Sequence, residues 1–375
     1  MIIFLGFAGM LIIPLGVYLY FFIQRFLGIF WDSQRLRLRK IISAVAAAVA
    51  AAGAVNLFGL WALLVFYTAA AGIATDIIRY GFRKAGRPWN RTFDLIWRSG
   101  IFAFAVTAVI TGYAYVNMHR VTVADYTIQT KKPIREQGYR VVFLSDLHFG
   151  TTMDLEKLQD YCEQMEQKQP DLVVLGGDIV DEKTSLQEVE EAFGALAKIS
   201  STFGTFYVYG NHDKGRYSNT CDFTESQLAQ TIEDSGIVIL EDDAVLLNEE
   251  LSITGRRDRS DGSRTGGVRN ASADLIKELP PTAFHMLADH QPRNMEENAS
   301  AGYDLMLSGH THAGQMWPVG LVTELFDKGT VNYGQKSFGD LQLIVSSGIA
   351  GWGYPLRTGK HSEYVVISIE NANTG

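Results

Sequence analysis

Residues 41–75 contain no charged side chain, and residues 2–24 and 100–118 are almost as apolar. A helix crosses a bilayer on about 20 apolar residues. These three blocks restrict the first part of the chain to membrane-spanning helices. The middle block has room for two, and Gly53, Asn56 and Gly59 offer a tight turn near its centre. The expected spans are roughly 2–24, 41–57, 59–77 and 100–118. The alternative is three spans, with the Ala-rich 41–57 as a re-entrant or interfacial piece. No basic residue precedes the first block, which argues against a cleaved signal peptide. Of the twelve basic residues in 1–120, eleven fall in 25–40 and 78–99. The positive-inside rule places both loops in the cytoplasm, so four spans deliver residue 119 onward to the outside. No ionisable group is expected mid-span, so the helices read as an anchor and not a transport path.

Beyond residue 120 the composition changes. The chain has 33 basic and 41 acidic residues; 12 and 3 of them lie in 1–120, leaving 21 and 38 for the rest. That acidic balance excludes a nucleic-acid reader, which needs a basic face. Two cysteines, Cys162 and Cys221, cannot build a disulfide framework and are expected as free thiols. The boundary suggests two domains, 1–120 and 121–375.

The second domain repeats one design. Arg140–Asp146 reads RVVFLSD, Leu172–Asp178 LVVLGGD, Thr205–Asp213 TFYVYGNHD and Asp304–His312 DLMLSGHTH. Each is a short apolar run, as expected of a buried strand, ending in small residues and then Asp, Asn or His. Helix-like segments at about 154–168 and 185–199 separate the first three. A fifth run, Ala283–Pro292, contains His290. Neighbouring strands lie about 4.8 Å apart, so polar groups just past adjacent strand ends meet in one small volume. A lone Asp or His at such a place is usually a turn or cap residue. Five such ends in one domain point to a metal site. Mixed carboxylate and imidazole suits Mn, Fe or Zn better than Ca or Mg. The absence of cysteine from the set excludes a structural zinc site.

In combination, Asp146-x-His148, Gly-Gly-Asp178, Gly-Asn211-His212-Asp213, His290 and Gly-His310-Thr-His312 resemble the calcineurin-like metallophosphoesterase superfamily. The resemblance covers about 138–370. The apolar amino-terminal part and the segments GHTHAGQMWP and VSSGIAGWGYPLR are similar to its membrane-associated, YkuE-like and YaeI-like branch. It implies an α/β fold, a four-layer αββα metallophosphoesterase sandwich, here preceded by an all-α transmembrane domain. It implies two divalent cations: Mn first, Zn or Fe otherwise. One would take Asp146, His148, Asp178 and His312, and the other Asp178, Asn211, His290 and His310. His212 would meet the phosphate or leaving oxygen, oriented by Asp181. The implied reaction is attack on phosphorus by a metal-bridging hydroxide, with the cations about 3.5–4 Å apart and His212 as acid.

Substrate signals are thinner. Arg256, Arg257, Arg259, Arg264 and Arg269 lie in a Gly-rich basic stretch; either they grip a phosphate or headgroup, or the stretch is solvated. Arg357 is a second phosphate candidate by family position. Trp317, Leu321, Leu325, Phe326 and Trp352 are expected mostly to pack the core, with an acyl-accepting rim as the alternative. The leading expectation is hydrolysis of a phospholipid or lipid-linked envelope phosphoester, with the bilayer as partner. The alternatives are a broad extracytoplasmic phosphatase or phosphodiesterase on soluble esters, and a membrane sensor or scaffold with a binding-only domain.

Overall fold

The first unit of the structure, residues 1–113, is helical. It comprises α1 (Ile2–Leu27), α2 (Leu36–Gly53), α3 (Leu60–Lys84), α4 (Arg91–Ser99) and most of α5 (Ile101–Met118). The structure is a computed structural model and describes residues 2–31, 33–56, 59–261 and 268–372. Among the described residues three stretches are long and apolar enough to cross a membrane: Met10–Leu27, Leu60–Lys84 and Ile101–Met118. The expected second span is helical but does not qualify, because α2 opens with Arg37, Arg39 and Lys40 and continues as mostly alanine. Small residues let helices approach closely, and Gly16 faces Ala51. Leu15, Leu19, Ala47, Ala54, Ala62 and Ala69 form the interior. Ile13, Val17, Phe21, Val45, Val49 and Ile77 point outward, as expected where the solvent is lipid.

One polar cluster of this unit forms around Asp76. The Asp76 carboxylate accepts from Arg25 at 2.5 Å, from Trp97 Nε1 at 2.5 Å and from the Tyr18 hydroxyl at 3.0 Å. The stretch 78–99, expected as a loop, instead holds the end of α3 and α4. Asn90 starts α4 by accepting from the Phe93 N–H, and Gly100 ends it in the left-handed conformation.

The second unit, residues 114–375, holds two six-stranded sheets. The first has the order β1 (Val121–Thr130), β12 (Ser362–Asn371), β2 (Tyr139–Leu144), β3 (Leu172–Leu175), β4 (Thr205–Tyr207), β5 (Val238–Ile239). The second has the order β10 (Gly334–Phe338), β11 (Leu341–Val345), β9 (Leu305–Ser308), β8 (Phe284–Ala288), β7 (Leu251–Gly255), β6 (Asp243–Asn248). Alternation along the strands builds the layers. Val141, Phe143, Leu172 and Val174 pack between the sheets with Ile253, Met286, Leu305 and Ile344. Their neighbours Val142, Leu144, Val173 and Leu175 face α6 (Leu155–Glu166), α7 (Leu186–Leu196) and α8 (Glu225–Asp234). On the far side Leu287, Met306, Leu341 and Leu343 meet α9 (Ser272–Ile276) and α10 (Met295–Ala301). The result is the expected helix–sheet–sheet–helix sandwich. Cys162 and Cys221 are free.

Candidate metal centre

β2, β3 and β4 run parallel in one sheet, and β8 and β9 run parallel in the other. Each of these strands stops just before a polar residue: Asp146, Asp178, Asn211, His290 and His310 follow the five ends. With His148 and His312, the structure brings four of these residues, Asp146, Asp178, His290 and His310, together in two groups. Potential ligand atoms of Asp146, His148 and His312 lie within 4.8 Å of one another, as do those of Asp178, His290 and His310. Asp178 Oδ2 is 3.1 Å from His290 Nε2 and 3.7 Å from His148 Nε2, so one carboxylate oxygen reaches both groups.

The backbone is bent to achieve this. Asp146, His148, Asp178, His310 and His312 all take positive φ, between 40° and 70°. Each such residue costs about 1–3 kcal/mol and persists only where its surroundings impose it. Part of that imposition is Asp213, whose buried carboxylate accepts the N–H groups of Asp178, Ile179, Val180 and Gly210. Gly210 is required there, because a Cβ would stand 2.2 Å from Asp178 Oδ1.

The donor set fits a pair of divalent cations. His148 Nε2, His312 Nδ1 and Asn211 Oδ1 are buried without a hydrogen-bond partner. An orphaned buried polar atom costs about 1–3 kcal/mol, and three on residues that follow these strand ends call for an electrophile that their lone pairs can reach. His290 Nδ1 lies 2.8 Å from the Gly176 carbonyl, which fixes the proton there and leaves Nε2 to face Asp178. Burial pushes His310 down to about 4 and His312 to about 3, so both imidazoles are neutral at pH 7, the form that ligates. Burial disfavours charge on Asp178, yet His290, His212 and His148 hold its carboxylate well below the usual range.

His212 stands beside these groups. Its N–H donates to Asp178 Oδ1 at 2.8 Å. Its ring lies between Tyr217 and Trp352, with centroids at 4.8 Å and 5.3 Å. The expected partner, Asp181, is elsewhere: its Oδ2 is 3.5 Å from His148 Nδ1. The carboxylate on His212 belongs to Glu182, both of whose oxygens are 3.1 Å from Nδ1. The two adjacent carboxylates thus each serve a different histidine, of a pair whose ring centroids lie 5.4 Å apart. Burial opposes the His212 charge, but the Glu182 hydrogen bond and Asp178 raise its pKa above the ordinary value. Glu182 and Asp213 were visible in the sequence only as members of acidic or motif stretches.

The expected substrate residues fare differently. The Arg256 guanidinium is buried and spent on Asp242, Ser272 and the Asn270 carbonyl. Arg257 Nε lies 3.3 Å from Glu241. Arg269 pairs with Asp289, and Arg259 with Asn294. Arg264 lies outside the described residues. Arg357 is fully buried, donates to the carbonyls of Ser347 and Ala350 at 2.6 Å, and is pushed down to about 10 by burial. It holds a loop and is not presented to a phosphate. Trp317 is on the surface, as are Leu321, Leu325 and Phe326, which corrects the expectation that they pack the core.

This fold and this site define a metal-dependent phosphoesterase. Residues 139–314 match the calcineurin-like phosphoesterase family, and the chain carries a calcineurin-like metallophosphoesterase domain. An uncharacterized metallophosphoesterase of Helicobacter pylori is 32% identical over 238 residues, covering 62% of this chain and 60% of that protein. A Bos taurus protein described as a transmembrane protein with metallophosphoesterase domain is 28% identical over 316 residues, covering 77% of this chain and 67% of that protein. The phosphodiesterase YaeI of Escherichia coli is 28% identical over 242 residues, covering 62% of this chain and 82% of that protein.

Proposed function

We propose that this chain is a membrane-anchored phosphoesterase acting on a phospholipid or lipid-linked envelope phosphoester. The observation that carries the reading is the pair of ligand groups joined through Asp178, in a chain whose described residues also include three helices long and apolar enough to cross a membrane. Asp146, His148, Asp178 and His312 would hold one cation, and Asp178, Asn211, His290 and His310 the other. Mn suits that mix of carboxylate and imidazole. Bound cations supply positive charge to the phosphoryl oxygens and acidify a water. The protein's own part is proton delivery and positioning. His212, whose charged form Glu182 favours at Nδ1, gives the proton on its other ring nitrogen to the leaving oxygen. Asp181 orients His148 from behind, as carboxylates do for ligating imidazoles. Tyr217 and Trp352 flank the His212 ring and limit water around it.

Tethering supports a lipid substrate, because it concentrates the enzyme at the bilayer. The bovine relative's description as a transmembrane protein agrees with the anchor, and the Escherichia coli relative's name favours a diester. With α2 as a fourth span, both polar stretches with their eleven cations would lie inside and support an extracytoplasmic catalytic unit; with three spans those stretches fall on opposite sides. The test is full-length protein with Mn on a panel of phospholipids and lipid-linked phosphates against nucleotides and aryl phosphates. Turnover confined to soluble esters sinks the lipid assignment, and no turnover of any ester sinks the enzyme.

A further inference from the structure

Helices α6, α7 and α8 bury their apolar stripes; on α7 these are Val189, Ala192, Phe193 and Leu196. α11 (Val319–Phe326) does the reverse and buries no side chain. At 3.6 residues per turn, Val319, Leu321, Val322, Leu325 and Phe326 sweep about 160° of its circumference. All five are exposed, from 45% at Val322 to 84% at Phe326. The side set against the body is Gly320, where a Cβ would stand 2.7 Å from Asn332 Nδ2 and 3.2 Å from the Ala313 carbonyl. The helix is thus docked by its smallest residue and turns its apolar face outward. Each large apolar side chain left in water forgoes the free energy that burial would supply.

The surroundings of α11 say what covers that face. Gln315 donates to the carbonyls of Trp352, Tyr354 and Leu356, and the Trp317 N–H donates to Thr358 Oγ1. The same loop receives the end of α5. The Arg357 N–H donates to the Ala114 carbonyl, Asn117 Nδ2 to the Arg357 carbonyl at 3.1 Å, and Ser362 Oγ to the Met118 carbonyl at 2.8 Å. Ala114–Met118 is the last turn of a helix apolar enough to span a membrane. The apolar face of α11 and the chain's exit from that helix therefore hang from one loop. α11 also follows His310 and His312 within a few residues.

We infer that α11 is an interfacial membrane helix, whose apolar face enters the acyl boundary of the bilayer while Trp317 sits at headgroup level. The inference rests on the chain being membrane-anchored, but not on a lipid being its substrate. A bilayer fits better than a protein partner because the face is fixed beside a covalent membrane tether.

The test uses full-length protein in phospholipid nanodiscs, with Cys162 and Cys221 replaced by Ser and spin labels placed singly through Leu321→Cys, Glu324→Cys and Phe326→Cys. Labels at 321 and 326 are expected to collide mainly with oxygen, and the label at 324 mainly with an aqueous nickel chelate. Nickel access at all three positions overturns the inference. So does protection from both reagents with spin coupling between copies, which assigns the face to a second copy. On the unsubstituted chain, a lipid-phase carbene reagent is expected to mark the peptide containing 317–326, and absence of that mark also overturns it. These readouts do not depend on turnover, so a failed lipid-substrate panel leaves them standing.

Discussion

The helical unit and the catalytic unit solve opposite problems. In the first, apolar side chains such as Val17, Phe21 and Val49 face outward, and a polar cluster forms at Asp76. In the second, apolar side chains fill three layers between and outside two sheets, and polar groups collect where the strands stop. The difference teaches where sensitivity lies. A lipid-facing helix is specified by average hydropathy, so many residues are interchangeable. A strand-end site is specified by individual side chains held at strained backbone positions, so few are.

The harshest test of that contrast is Asp178→Asn, which is expected to abolish ester hydrolysis and deplete bound metal, read by elemental analysis. His212→Ala is expected to cost about 10²–10⁴-fold in rate on esters with poor leaving groups, with metal content retained. Metal loss in that variant would make His212 a ligand and not the acid. The two adjacent carboxylates sharpen the assignment. Asp181→Asn should weaken metal affinity by about 10–100-fold. Glu182→Gln should leave affinity alone and move the alkaline limb of the rate profile to lower pH. The sign follows from Glu182 raising the His212 pKa: the acid form is present below the folded pKa and is lost as pH rises through it, and removing the carboxylate lowers that point.

In the helical unit the expected effects are smaller. Asp76→Asn weakens the bonds to Arg25, Tyr18 and Trp97, and should lower stability in detergent by about 1–3 kcal/mol while hydrolysis of a soluble aryl phosphate stays unchanged. A loss of turnover comparable to Asp178→Asn would break the contrast. The mildest effect concerns His285, whose pKa burial lowers to about 4. The unfolded chain takes up that proton near 6.5 and the folded chain only near 4, so stability falls as pH drops through this window. Thermal unfolding of His285→Gln should show a shallower dependence there than the unsubstituted chain.

Much of the site was legible because its chemistry is written at breaks in pattern. An apolar run that ends in Gly-Gly-Asp178 or Ser-Gly-His310 marks both a strand and what lies beyond its end. The sandwich followed from the same runs and the resemblance they carry. Less legible were the spans, since α2 is helical yet opens with cations that its alanines do not offset. The arginines were misread for a different reason. Arg256 and Arg357 carry the charge a phosphate would want, but the fold turns it onto carbonyls and a carboxylate 7 to 14 positions away in the chain.

By itself the sequence determined which stretches belong in lipid, which strands are buried, and which side chains stand at their ends. These are local properties, set by hydropathy and by the two-residue period of a strand. Only the tertiary structure decided that Glu182 rather than Asp181 holds His212, that Asp213 gathers four N–H groups under the site, and that α11 turns its apolar face outward. Each of those depends on the direction in which a side chain leaves a turn and on what residues far along the chain place in its path.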